Sequence, residues 1–144
     1  MIVACDRCGR QNRVPVERLA QEGRCGACRS PLGPRAKPID VDAADFDAIV
    51  GAVKVPILVD FWAAWCAPCR MAAPEVEKTA AAMAGRAVVL KVNTELQPAL
   101  ASRFHVQGIP HFVVLREGAV VTQQSGLVPS ARMTEWLEAA SRRS

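Results

Sequence analysis

No apolar run in this 144-residue chain reaches the roughly 18 residues that a membrane-spanning helix requires. Charges such as Asp60, Arg70 and Lys91 interrupt every candidate. The opening stretch, "MIVACDRCGR", has Asp6 and Arg7 where a secretory signal would need apolar residues. The expectation is a cytoplasmic protein that meets no membrane. A Gly-rich dinucleotide loop is also missing, so no bound nucleotide is expected. Histidine is scarce, with only His105 and His111, both in one segment. Cysteine is not scarce: there are six. Stable disulfides are rare in a reducing compartment, which turns six cysteines toward metal binding or catalysis.

The length suits one domain of about 100 residues with a small appendage. Hydrophobic residues make up 51% of the chain, enough for a packed core and against disorder. The net charge of +4 is uneven: residues 1–38 carry eight Lys/Arg against three Asp/Glu, and the remainder ten against eleven. A basic segment can touch nucleic acid. Here a metal held by four thiolates would carry −2, and nearby arginines would balance part of it, so nucleic acid is not the expected partner.

The composition divides the chain into 1–32, rich in Cys, Gly and Arg, a linker over 33–38 within "PLGPRAKP", and a globular α/β unit over 39–144. The first part is too poor in apolar periodicity to fold unaided. In the second, Asp42 caps a helix from about Ala43 to Val50 with Phe46 and Ile49 inward. "PILVDFW" and "AVVLKVN" have the near-continuous apolar character of buried strands. A helix begins at "CAPCR" and stops near Gly85, with Pro74 inside it; "QPALASRF" is a short helix. "HFVVLREGAVVTQQ" forms a hairpin turning at Glu117-Gly118. "SARMTEWLEAASRR" forms a last helix with Ser130 as N-cap, Trp136 in the core and Arg142 and Arg143 in its final turn. The expected order is β-α-β-α-β-α-β-β-α.

Cys-x-x-Cys occurs three times, and such a pair can clamp a metal, form a structural disulfide or carry electrons. Cys5/Cys8 and Cys25/Cys28 are separated by 16 residues, the spacing of a four-cysteine zinc site. Gly9 and Gly26 supply flexibility to the two loops. Four thiolates leave no open position, so a structural Zn2+, one per chain, is expected, and its binding would supply folding free energy. Two disulfides or free thiols are the competing reading.

Cys66/Cys69 has no matching pair. It follows a buried strand and opens a helix, where free N–H groups and the macrodipole favour a thiolate at Cys66. Cys69 is one turn on, within reach of a disulfide. Pro68 fixes a helical φ in the first turn. An exposed Cys66 would attack a substrate disulfide and a deeper Cys69 would resolve the mixed disulfide. Asp60, within an apolar strand, is either a hydrogen-bonded core acid or the proton acceptor for Cys69 with its pKa raised by burial. Lys91 in the neighbouring strand is its candidate charge partner.

"VDFWAAWCAPCRMAAP" (59–74), followed by "LKVNTE" (90–95), "FHVQGIP" (104–110), "EGAVV" (117–121) and Gly126, resembles the thioredoxin family over about 39–142. With the four-cysteine segment in front, the whole chain resembles its thioredoxin-2 subfamily. The resemblance implies a thioredoxin fold, a central mixed sheet flanked by helices, behind a zinc-ribbon-like domain. It implies catalytic Cys66, Cys69, Asp60, Lys91 and a cis Pro110. Trp65, Ala67, Pro68, Ile109 and Gly126 become the substrate-binding set, Ile109 through its backbone. The implied activity is protein-disulfide reduction by a monomer acting on disulfide-containing proteins and recharged by thioredoxin reductase. Two departures stand out: Ala67 replaces the usual glycine, and His111 replaces the usual threonine. His111 either approaches the cysteine pair and tunes it, or packs away at a strand start. A chaperone-like binding module and a zinc-dependent redox sensor are the competing functions.

Overall fold

A computed structural model describes residues 1–142 of the chain. Its main sheet has five strands in the order β3-β5-β4-β6-β7: β3 (Ile39–Asp40), β4 (Ile57–Trp62), β5 (Val88–Asn93), β6 (His111–Arg116) and β7 (Ala119–Ser125). β3 and β4 run parallel to β5, whereas β6 is antiparallel to both β4 and β7. Helices α1 (Ala43–Ala52), α2 (Ala67–Ala82), α3 (Pro98–Arg103) and α4 (Ser130–Ser141) alternate with these strands in the expected order.

β4 is central because its residues from Ile57 to Phe61 are all buried. Its alternation divides the core. Ile57, Val59 and Phe61 pack with Phe46 and Ile49 of α1 and Leu100 of α3. Leu58 packs on the other side with Ala72, Val76 and Ala80 of α2 and Met133 and Leu137 of α4. Each buried Val, Leu, Ile, Phe or Met side chain here contributes about 1.5–3 kcal/mol. Asp60 belongs to this second layer by the same alternation.

Helix ends follow local chemistry with one exception. Asp42 accepts the Asp45 N–H at 2.8 Å, as the sequence predicts. Ser130 is not the N-cap of α4; Pro129 holds that position, and the Ser130 N–H is accepted by Glu75 Oε1 of α2 at 2.9 Å. Ser130 Oγ pairs instead with Thr79 Oγ1 at 2.8 Å. The two helices of this layer are therefore joined end to flank by polar groups as well as by their apolar faces. Trp136 is half-buried at the edge of the layer rather than within it. Arg142 follows α4 as its C-cap, and Arg143 lies outside the described residues.

The N-terminal segment forms a two-stranded antiparallel ribbon, β1 (Ile2–Ala4) with β2 (Gln11–Arg13), then a 3-10 turn at Val16–Arg18. Leu19, 2% exposed, joins the cluster of Phe46 and Ile49. The segment expected to be a linker packs too: Arg35 N–H donates to the Leu19 carbonyl at 2.9 Å, and the Pro34 ring lies against Gly85.

Candidate functional site

The chain turns sharply after β4 and enters α2 through Cys66. The Cys66 N–H donates to the Ala63 carbonyl at 3.2 Å, and Arg70 Nη1 donates to the Ala64 carbonyl at 2.8 Å, bracing the turn. Cys66 is the N-cap, and its Sγ accepts the Cys69 N–H at 3.2 Å. Cys66 and Cys69 are joined by a disulfide, with Cα atoms 5.2 Å apart. Pro68 stands in the first turn of α2, where a missing N–H costs no helical hydrogen bond. The Cys69 N–H is thus aimed at the sulfur that would carry negative charge after reduction.

The exposed Cys66 expected from sequence is not observed. In the disulfide form Cys66 is 4% and Cys69 5% exposed, and the loop that leads into β6 approaches Cys66. That loop brings the Ile109 carbonyl oxygen to 3.6 Å from Cys66 Sγ, and its Ile109–Pro110 peptide bond is cis. The Pro110 carbonyl accepts the Gly126 N–H at 2.8 Å, which ties the loop to the chain leaving β7. Gly126 has φ +100°, a conformation that favours glycine. Trp65 is 66% exposed, and its Nε1 donates to Glu95 Oε1 at 2.8 Å. Trp65 and Ile109, with Thr94, Val106 and Gly108, line a groove of about 280 Å³. Ala67 and Pro68 are exposed on the first turn beside it.

Asp60 is 2% exposed, and its Oδ1 has no hydrogen-bond partner among the described residues. Burial pushes its pKa up to about 7, against the attraction of Lys91 and with the help of Asp40. By strand alternation it points to the sheet face that α2 covers, and Cys69 is among the buried residues of α2. Lys91 is opposite Asp60 in the β4/β5 register but makes no ion pair with it within 4 Å. Its ammonium stands 4.5 Å from the centre of the Trp62 ring, so it acts on Asp60 through space. His111 faces away from the cysteines. Its Nδ1 pairs with Ser125 Oγ at 2.7 Å and its Nε2 with Gln123 Oε1 at 3.1 Å, both on β7.

A second cluster lies in the N-terminal segment. The Sγ atoms of Cys5, Cys8, Cys25 and Cys28 are all within 4.8 Å of one another. Cys5 and Cys28 are 3.7 Å apart, and Cys8 and Cys25 are 3.6 Å apart. A tetrahedral ion with metal–sulfur bonds of about 2.3 Å has sulfur–sulfur edges of about 3.8 Å. The donor set therefore fits such an ion. The two loops are built alike: Gly9 N–H donates to the Cys5 carbonyl and Arg29 N–H to the Cys25 carbonyl. The left-handed residue of the second loop is Arg29, at φ 65°, and not Gly26 as expected, because it stands where Gly9, φ 78°, stands in the first. The N–H groups of Cys28 and Ala27 lower the Cys25 pKa to about 6, favouring a thiolate ligand. Asn12, which no sequence signal marked, accepts the Gly26 N–H through Oδ1 at 2.9 Å and places Nδ2 3.6 Å from Cys25 Sγ.

A disulfide set where a helix N-terminus can hold a departing thiolate can pass two electrons between dithiols. Fold and site together are those of a thiol–disulfide oxidoreductase. The Thioredoxin family model matches residues 37–139, and the one described as Thioredoxin 2, N-terminal matches residues 4–30. The chain belongs to the thioredoxin family, with a zinc-ribbon segment of the thioredoxin 2 type in front. It is 36% identical over 138 residues to Thioredoxin C-3 of Corynebacterium nephridii, covering 96% of this chain and 94% of that one. It is 39% identical over 93 residues to Thioredoxin 1 of Chlorobaculum tepidum, covering 65% of this chain and 92% of the relative. Among solved structures, a mutant thioredoxin from Halobacterium salinarum NRC-1 superimposes with a TM-score of 0.70 at 29% identity, covering 76% of this chain and 96% of that one.

Proposed function

We propose that this protein-disulfide reductase acts in the cytoplasm as a monomer on disulfide-containing proteins and is recharged by thioredoxin reductase. The observation that carries the reading is the Cys66–Cys69 disulfide at the N-cap of α2, against the Ile109–Pro110 loop. In the reduced state, Cys66 thiolate attacks one sulfur of the substrate disulfide. A Cys66–substrate disulfide forms, and the second substrate sulfur leaves as a thiolate. Cys69 gives its proton to the Asp60 carboxylate and attacks Cys66 Sγ. The remaining substrate thiolate departs, and the Cys66–Cys69 disulfide carries the oxidation. Two electrons have then passed to the substrate, and the reductase returns two to the chain.

Lys91 moderates the proton affinity of Asp60 by its charge. Pro110 packs the loop, and the Ile109 backbone pairs with an extended substrate segment. Trp65, Ala67, Pro68 and Gly126 form the surface around it. The chain divides into a zinc-binding domain over 1–32, a linker over 33–38 and a thioredoxin domain over 39–144. Zn2+ held by Cys5, Cys8, Cys25 and Cys28 is structural: bound there, it would neutralise thiolate charge and cross-link two loops that have little apolar core of their own.

The test is insulin reduction coupled to NADPH oxidation by thioredoxin reductase. Turnover is expected with the wild type and none with Cys66→Ser; turnover without Cys66 would refute the reading. For the metal, zinc per chain should be close to one and should fall in Cys25→Ser. Equal stoichiometry in both would remove Cys25 from the ligand set.

A further inference from the structure

Three charged residues stand in one row across three strands. Asp40 of β3 is the register partner of Lys91 of β5, and Lys91 is the register partner of Asp60 of β4. Register partners in a sheet project to the same face, here the face covered by α2. Asp60, at the inner end, is buried, and Asp40, at the outer end, is exposed. Asp40 and Lys91 together line two solvent-facing cavities: one of about 480 Å³ with Trp62 and Asn93, and one of about 550 Å³ with Lys37 and Glu77. The row therefore has a buried acid at one end and a solvent-exposed acid at the other, with Lys91 between them.

We propose that Asp40 is a positioning residue for proton transfer at Asp60: its carboxylate, on the solvent side of Lys91, sets how firmly Asp60 holds its proton. The inference rests on the proposed role of Asp60 as proton acceptor for Cys69. The charged groups that face Asp60 are few. β5 presents Lys91 and β3 presents Asp40; α2 presents the cysteine pair and, farther out, Glu77; the segment before β3 presents Lys37. β6 presents Phe112 in register, since His111 lies on the opposite face. Asp40 is thus the nearest negative charge to Asp60 that belongs to the sheet itself, and its charge raises the proton affinity of Asp60 while that of Lys91 lowers it.

Strands are about 4.8 Å apart, so Asp40 and Asp60 are separated by about 10 Å. At an effective dielectric between those of protein surface and water, one charge at that distance moves a titration by on the order of half a pH unit. Such an effect is screened in 1 M salt.

The experiment uses the full, zinc-loaded chain in two measurements. Carbon-13 carboxyl NMR follows the Asp60 titration in the oxidised protein. Stopped-flow kinetics follow the pH dependence of mixed-disulfide resolution. In Asp40→Asn and Asp40→Ser, the Asp60 midpoint should move about half a unit toward acid, and the acid limb of resolution should move with it. Both shifts should shrink in 1 M salt, and Asp40→Glu should restore the wild-type values. An Asp60 midpoint unmoved in both neutral variants overturns the proposal, as does a kinetic limb that stays while the midpoint moves. Asp60→Asn is the control for the underlying reading. If the acid limb survives there, the proton-acceptor role falls, and the Asp40 inference with it.

Discussion

Asp60→Asn should make the oxidised protein more stable at neutral and alkaline pH, with a gain that grows from about pH 4 to pH 7 and then levels off. Burial raises the Asp60 pKa from 3.8 to about 7 in the fold. The folded state then holds a proton between those values that the unfolded chain has released. Stability must therefore fall as pH rises through this window. Three pH units at about 1.36 kcal/mol each give about 4 kcal/mol between pH 4 and pH 8. Asparagine has nearly the same shape and no charge, so this slope vanishes in the variant. At pH 8 the variant should exceed the wild type by a few kcal/mol, or about 10 °C in Tm for a chain of this size. Guanidinium unfolding of the disulfide form at several pH values is the assay. Using that form keeps Cys66 and Cys69 from titrating, and the four N-terminal cysteines contribute alike to both proteins. Parallel stability–pH curves for the two would refute the assignment of a buried, high-pKa carboxyl to this position.

Two further expectations follow from the hydrogen bonds. His111→Thr removes partners of Ser125 and Gln123 on β7 and should cost about 1–2 kcal/mol in unfolding free energy. It should leave the pH profile of Cys66 alkylation unchanged; a shifted profile would mean that His111 reaches the thiolate after all. Glu75→Ala removes the carboxylate that accepts the Ser130 N–H and should lower Tm by a few degrees at neutral pH. The Ser130 N–H, with help from Lys78, holds the Glu75 pKa below its ordinary value. The contribution is therefore present above pH 4.5 and lost as pH falls through the lowered folded value, so the two melting curves should converge in acid.

What could be read from sequence was what is local or periodic. β4 and β5 are runs of apolar residues long enough to identify buried strands, and Asp42 stands three residues before the N–H that it caps. The three Cys-x-x-Cys pairs separated correctly into a matched set and a lone couple because their flanks differ. The features that escaped depend on contacts distant along the chain. The buried Cys66 meets the Ile109–Pro110 loop, 43 residues away. The first N–H of α4, that of Ser130, is accepted by Glu75, 55 residues earlier, while Ser130 itself carried the expected cap chemistry. Leu19 lies in a segment read as core-poor, yet it packs in one cluster with Phe46 and Ile49 of α1. β1 and β2, at three residues each, are too short for periodicity to register. Asn12 carries no sequence signal, yet its side chain supports a cysteine loop.

The central claim is an asymmetric couple in which Cys66 attacks and Cys69 resolves. Cys69→Ser tests it most directly. The variant, reduced and mixed with insulin or a cell extract, is run on a non-reducing gel, and the captured peptides are mapped by mass spectrometry. Mixed disulfides joined to Cys66 should accumulate and dissolve on adding dithiothreitol, whereas Cys66→Ser should capture far less. An absence of adducts in Cys69→Ser, or adducts attached at Cys5, Cys8, Cys25 or Cys28 instead, would contradict the account.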